Sequence, residues 1–148
     1  SPLAGQVKPL SQATDPVFSS GVMGQGVVIE PSQVELVSPV NGTVTVLFPT
    51  KHAVGIVSEE GVEMLMHIGM DTVSLDGKGF ESHIKQGDKV VVGQQLISFD
   101  MDVIKEAGLV TETPVIITNQ DDFQADVEGD LPRDIKRGEV LMIAHRTK

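Results

Sequence analysis

The chain has 148 residues, with 21 Asp and Glu against 11 Lys and Arg and a formal net charge of -10. That length suits one compact domain with a single apolar core, and the acidic balance argues against a nucleic-acid binder, which needs clustered Lys and Arg to neutralise phosphates. With no cysteine there is no disulfide framework, thiolate metal site or Cys nucleophile, which suits a reducing compartment.

No apolar run approaches the roughly 20 residues of a membrane span, and the start at Ser1 shows neither the basic nor the apolar region of a signal peptide. The expectation is a single cytoplasmic domain over residues 1–148 without direct membrane insertion. Opening on Ser1-Pro2 without a methionine is compatible with a domain excised from a larger polypeptide.

Along the chain, short runs rich in Val, Ile and Thr alternate with Gly, Pro and Asn. They predict strands over 26–30, 34–38, 42–48, 52–57, 62–68, 89–92, 95–100, 114–118 and 139–144. The segment 11–20 reads as a loop ending in Val17-Phe18, and 80–85 and 101–107 as helical turns. Asn41-Gly42 is the strongest turn signal, with Glu60-Gly61 and Gln86-Gly87 weaker ones. This predicts an all-β fold, an antiparallel sandwich or barrel with a few short helical turns. The phrases Pro2-Leu3-Ala4-Gly5-Gln6-Val7 and Pro39-Val40-Asn41-Gly42-Thr43-Val44 share a Pro-x-x-Gly-x-Val form, a faint sign of an internally duplicated β motif.

Two histidines stand out. His67 lies in the apolar stretch Met64-Leu65-Met66-His67-Ile68-Gly69-Met70, and strand alternation points it the same way as Leu65 and Gly69. A neutral imidazole in an apolar depression keeps one nitrogen nucleophilic while the other donates to a backbone carbonyl. His52 opens the preceding strand in Thr50-Lys51-His52-Ala53. If that stretch is extended, Thr50 shares its face and can orient the ring, and a 52–57/62–68 hairpin brings both imidazoles to one face. By spacing alone, a histidine in a strand is more often a packed residue than a catalyst.

The window Gly61-Val62-Glu63-Met64-Leu65-Met66-His67-Ile68-Gly69-Met70-Asp71-Thr72-Val73 resembles the active-site signature of the glucose-type IIA domain of the bacterial phosphoenolpyruvate:sugar phosphotransferase system. Similar phrases run through most of the chain, among them Gly24-Gln25-Gly26, Phe48-Pro49-Thr50-Lys51-His52-Ala53, Gly77-Lys78-Gly79-Phe80, Gly87-Asp88-Lys89-Val90 and Thr113-Pro114-Val115. The resemblance implies a β-sandwich phosphotransferase component. It would be phosphorylated at Nε2 of His67 by phosphohistidine HPr and would pass the group to a cysteine of a IIB domain for sugar uptake. His52 corresponds to the second active-site histidine, which stabilises the phosphoryl group, and Thr50 to the threonine that orients it.

The same resemblance implies a partner-docking face lined by Phe18, Val22, Met23, Phe48 and Leu65, with Asp15 and Asp71 at its rim and Asp100 a weaker rim candidate. Leu65 and Val54 stand where some relatives carry phenylalanine, so this face is expected to be less aromatic. Regulated target proteins, tethering through fused IIC and IIB domains, and a regulatory zinc shared by His52 and His67 with a partner all fit the family. No cofactor of the domain's own is expected. His83 and His145 fall outside the matched window and read as surface residues.

Three other readings compete. His67-x-x-x-Asp71 is a zinc-peptidase spacing, but the downstream His-x-His that it needs is missing, since His83 and His145 stand alone. A lipoyl- or biotinyl-like carrier is suggested by Gly87-Asp88-Lys89-Val90, yet no lysine has the usual neighbours of a modified one, Lys51 included. A purely structural sandwich leaves the phrase matches unexplained.

Overall fold

Branched side chains lose little freedom on a pleated surface and pack against cross-strand neighbours, so runs of Val, Ile and Thr form strands wherever one face can be buried. The computed structural model describes residues 1–13, 16–20, 24–69, 72–119, 122–127, 132–139 and 141–146. In chain order its strands are β1 (Gly5–Pro9), β2 (Gln25–Pro31), β3 (Glu35–Val37), β4 (Gly42–Leu47), β5 (Ala53–Ser58), β6 (Glu63–His67), β7 (Phe80–Ser82), β8 (Lys89–Val90), β9 (Gln95–Phe99), β10 (Thr113–Ile117), β11 (Phe123–Val127), β12 (Arg133–Ile135) and β13 (Met142–Arg146). Two short helices interrupt them, α1 (Pro16–Ser19) and α2 (Met101–Glu106).

The main sheet has the order β12-β1-β2-β10-β6-β5-β4-β8, and its neighbours are antiparallel. The order is a palindrome of hairpins: β1–β2 flanks the central β10–β6 pair on one side and β4–β5 on the other. Register follows the same pattern, for Gly26, Ile116, Leu65 and Gly55 form one cross-strand row with a glycine at each end. The two Pro-x-x-Gly-x-Val phrases open β1 and β4, so the expected duplication is visible in the pairing.

A smaller sheet, β3-β9-β7, covers one face of the main sheet. Val27, Ile29, Val54, Ile56 and Met66 from the large sheet meet Leu36, Phe80, Ile97 and Phe99 from the small one, all buried. Each such side chain contributes about 1.5–3 kcal/mol by leaving water, which makes this the core of the sandwich. The opposite face of the main sheet carries a separate cluster of Leu10, Ala13, Phe18, Val28 and Ile116, with Leu65 packed against it. The histidines belong to that second face.

Several local expectations are corrected. The predicted helical turn at 80–85 is instead strand β7, because Phe80 points into the core opposite Phe99 while Glu81 is exposed, a period of two. The segment 11–20 holds α1 and the end of a 3-10 turn at Leu10–Gln12. Asn41-Gly42 does not close a hairpin. It carries the chain from the small sheet to the large one, and Asn41 Oδ1 accepts from Val92 N–H (2.9 Å). Glu60-Gly61 does turn the β5–β6 hairpin, with Gly61 at φ 95°. The last predicted strand, 139–144, lies at Met142–Arg146 and pairs with β11, and β1, β11 and β12 were not anticipated. No helix among the described residues is long and apolar enough to cross a membrane.

Candidate functional site

His67 ends β6 on the outer face of the main sheet. Alternation sends Met66 into the core and leaves Leu65 and His67 on the other side. Just beyond the strand, Gly69 adopts φ 73°, and this left-handed step turns its carbonyl back to the ring, where His67 Nδ1 donates to Gly69 O (2.8 Å).

His52 reaches the same place by another route. The residue opposite His67 across the β5–β6 ladder is Ala53, so strict alternation would put His52 on the core face with Val54. It escapes that parity because it precedes the strand, in a turn closed by Lys51 N–H to Phe48 O (2.7 Å) and Phe48 N–H to Ala53 O (3.2 Å). Lys51 takes a left-handed φ of 60° there. The extended Thr50-Lys51-His52 of the sequence reading is thus corrected to a turn, yet Thr50 Oγ1 still lies 2.5 Å from His52 Nδ1. Ile68 N–H completes the anchoring by donating to His52 O (2.7 Å).

The two imidazoles meet edge to face, with centroids 4.7 Å apart and planes at 78°. An aromatic ring flanks each one: Phe18 lies 5.2 Å from His67, and Phe48 lies 5.2 Å from His52 in a T-shaped contact. His52 is only 2% exposed. Burial first, and the neighbouring His67 second, lower its pKa from the usual 6.5 to about 4, so the ring is neutral near pH 7.

Of the residues expected at the docking face, Phe18, Phe48 and Leu65 gather around this pair. Phe18 is 5% exposed and forms a wall more than a contact surface, whereas Phe48 and Leu65 are half-buried. Asp15, Val22, Met23 and Asp71 lie outside the described residues. Asp100 accepts from Asp102 N–H (2.9 Å) as the N-cap of α2. Val54 is fully buried in the main core, so it has no part in the aromatic character of the outer face. His83 is exposed, with Nε2 2.8 Å from Ser98 Oγ, and the side chain of His145 lies outside the described residues.

Sequence reasoning missed the backbone groups of Ile68 and Gly69, which hold one histidine each. Alternation shows Gly69 on the side of His67, but the role of its carbonyl needs the positive φ. Among the described residues no three His, Asp or Glu side chains converge as a metal site. The two imidazoles are nitrogen donors that zinc accepts, but they amount to half of a tetrahedral set. A cavity of about 940 Å³ lies away from this pair, walled by Val62, Met64, Ile117, Phe123 and Leu141.

Residues 1–123 match the family model of the phosphoenolpyruvate-dependent sugar phosphotransferase system, EIIA 1. The chain belongs to this EIIA family. It is 57% identical over 123 residues to the β-glucoside-specific EIIBCA component of Bacillus subtilis, a match covering 83% of this chain and 20% of that protein. Identity to the glucose-specific EIICBA component of Streptococcus pneumoniae is 53% over 117 residues, 79% of this chain and 16% of that one. The chain thus spans a fifth or less of these two multidomain relatives. The glucose-specific EIIA component of Bacillus cereus is 48% identical over 120 residues, covering 81% of this EIIA chain and 73% of that protein. Among solved structures, glucose permease IIA from Mycoplasma capricolum superposes with a TM-score of 0.86 at 38% identity, over 96% of this chain and 91% of that one, and it shares the β-sandwich.

Proposed function

We propose that this EIIA domain carries the phosphoryl group on Nε2 of His67, receiving it from phosphohistidine HPr and passing it to a IIB domain of a sugar permease. The observation that carries the reading is the unlike anchoring of the two Nδ1 atoms. A backbone carbonyl can only accept, so the contact with Gly69 O puts the proton of neutral His67 on Nδ1 and its lone pair on Nε2. At His52 the partner is a hydroxyl. With Thr50 donating to Nδ1, the His52 proton sits on Nε2 and is available to a phosphoryl oxygen. The opposite tautomer would set a lone pair against those oxygens.

The His67 Nε2 lone pair attacks phosphorus of the HPr phosphohistidine. A new P–N bond forms as the donor's P–N bond breaks, and its electron pair returns to the HPr imidazole. The phosphorylated His67 ring is cationic, and Gly69 O shares the charge through Nδ1–H. His52 donates from Nε2 to the transferring group, a preorganised contact in a site screened by Phe18 and Phe48. A IIB cysteine thiolate then attacks phosphorus, and the bonding pair goes back to His67 Nε2. Both partners act on the cytoplasmic side, which places the domain there, free or tethered to IIC and IIB domains.

The half-buried Leu65 and Phe48 give the docking face an apolar centre, and the net charge of -10 favours encounter with basic partners. The same face would serve regulated targets in the unphosphorylated state. A zinc ion held by His52 and His67 would need its remaining ligands from such a partner.

Labelling with phosphoenolpyruvate and the general phosphotransferase proteins tests the reading. The expected product is acid-labile and base-stable, and it is lost in His67→Ala. Labelling that survives this substitution overturns it.

A further inference from the structure

The Gly69 carbonyl fixes the tautomer of His67, so the group that fixes the carbonyl matters as much as the carbonyl itself. Thr72 is 0% exposed and opens a 3-10 turn, Thr72–Leu75. Its Oγ1 donates to Ile68 O (2.5 Å), the carbonyl of the peptide joining Ile68 to Gly69. Its methyl occupies the space a side chain at position 69 would need, since a Cβ on Gly69 would come within 2.6 Å of Thr72 Cγ2. From the other side a Cβ at 69 would meet Val110 O at 3.0 Å. The peptide is thus clasped on its carbonyl and against the glycine Cα.

Both histidines hang from this short stretch. Ile68 N–H holds His52 O (2.7 Å), Thr72 holds Ile68 O, and Gly69 O holds the His67 ring (2.8 Å). Gly69 O sits on the next peptide, and its direction is set from the clasped one through the Gly69 φ of 73°. If the clasp opened and that angle changed, Gly69 O would leave Nδ1 and the neutral His67 ring could move its proton to Nε2, which removes the nucleophile. A misplacement of about 1 Å at a reacting group can cost on the order of a hundredfold in rate.

We propose that Thr72 is a positioning residue for phosphoryl transfer: its hydroxyl locks the 68–69 peptide so that Gly69 O keeps the His67 proton on Nδ1. The inference rests on His67 being the acceptor, but its first readout does not need that. In Thr72→Val the methyl packing stays and the Ile68 carbonyl loses its donor. In Thr72→Ser the donor stays and the methyl goes.

The experiment records ¹⁵N chemical shifts of the His67 ring nitrogens in the intact domain, with single-turnover phosphorylation by phospho-HPr at saturating and subsaturating donor. For Thr72→Val the expected result is a mixture of His67 tautomers and a maximal rate lowered by about tenfold or more, with the half-saturating HPr concentration unchanged. Thr72→Ser should keep the Nδ1–H tautomer and most of the rate. A wild-type tautomer and rate in Thr72→Val overturns the proposal. So does loss of the tautomer in Thr72→Ser, an outcome readable even if the valine variant does not fold. Should His67→Ala retain labelling while Thr72→Val still mixes the tautomers, the acceptor assignment fails, the role in transfer falls with it, and only the hold of Thr72 on the His67 tautomer stands.

Discussion

The backbone carbonyl of His52 accepts a hydrogen bond from the N–H of Ile68, 2.7 Å away, so the residue that follows one imidazole in the chain anchors the other. The pair is thereby built into the last rung of the β5–β6 hairpin instead of being left to two independent side-chain rotamers. Short range and shared backbone explain how two rings hold an edge-to-face contact at 4.7 Å on the outer face of a sheet.

Burial of His52 has a consequence for stability. Its folded pKa of about 4 lies below the unfolded 6.5, so between those values the unfolded chain binds the extra proton. Stability should be level above pH 6.5, fall as pH drops toward 4, and gain no further loss from this group below that. The full effect approaches about 3 kcal/mol by the pKa difference. Denaturant melts of wild type and His52→Gln from pH 7.5 to 4 check it: the glutamine variant should lose this part of the slope. Parallel pH profiles for the two proteins would mean that His52 titrates normally.

Lys51 holds the turn that frees His52 from strand parity, at the cost of a left-handed backbone that non-glycine residues avoid by about 1–2 kcal/mol. Lys51→Gly should therefore melt within a degree or two of wild type or above it, because relief of strain offsets the added freedom of the unfolded chain. Lys51→Val should cost about 1–2 kcal/mol and slow onward transfer, since a branched residue resists that φ and the His52 ring shifts. Thermal melts paired with a IIB transfer assay would show both effects.

Much of this was legible from local pattern. The glycine-punctuated runs of Val and Ile gave the sandwich, and alternation around Met66 correctly sent His67 outward with Leu65. His52 does reach the face of His67, but not by strand parity: Thr50-Lys51-His52 turns where an extended run was expected. Only cross-strand register reveals that Ala53, not His52, faces His67. Strands β7 and β12 have three residues each, too few for a period to show, whereas β11 alternates Phe123, Ala125 and Val127 with polar residues and could have been found. The palindromic order of the main sheet depends on pairs far apart in sequence, which no local reading supplies.

Leu65 lies beside the histidine pair, half-buried and packed on the Phe18 cluster, and under the proposed function it would meet a partner's apolar surface. In Leu65→Asp the half-saturating HPr concentration should rise by about tenfold or more, as for loss of a central apolar contact, with the maximal rate nearly unchanged. Steady-state phosphorylation against HPr concentration separates the two. A fall in maximal rate at constant half-saturation would instead place Leu65 in the chemistry.

The most direct test of the division of labour between the histidines is a ¹⁵N–³¹P coupling measurement on the phosphorylated, histidine-labelled domain. Wild type should show phosphorus coupled to Nε2 of His67, with the proton retained on Nδ1, and His52→Gln should show the same adduct while failing to discharge it to IIB. Coupling to Nδ1 of His67, or to either nitrogen of His52, would contradict the assignment.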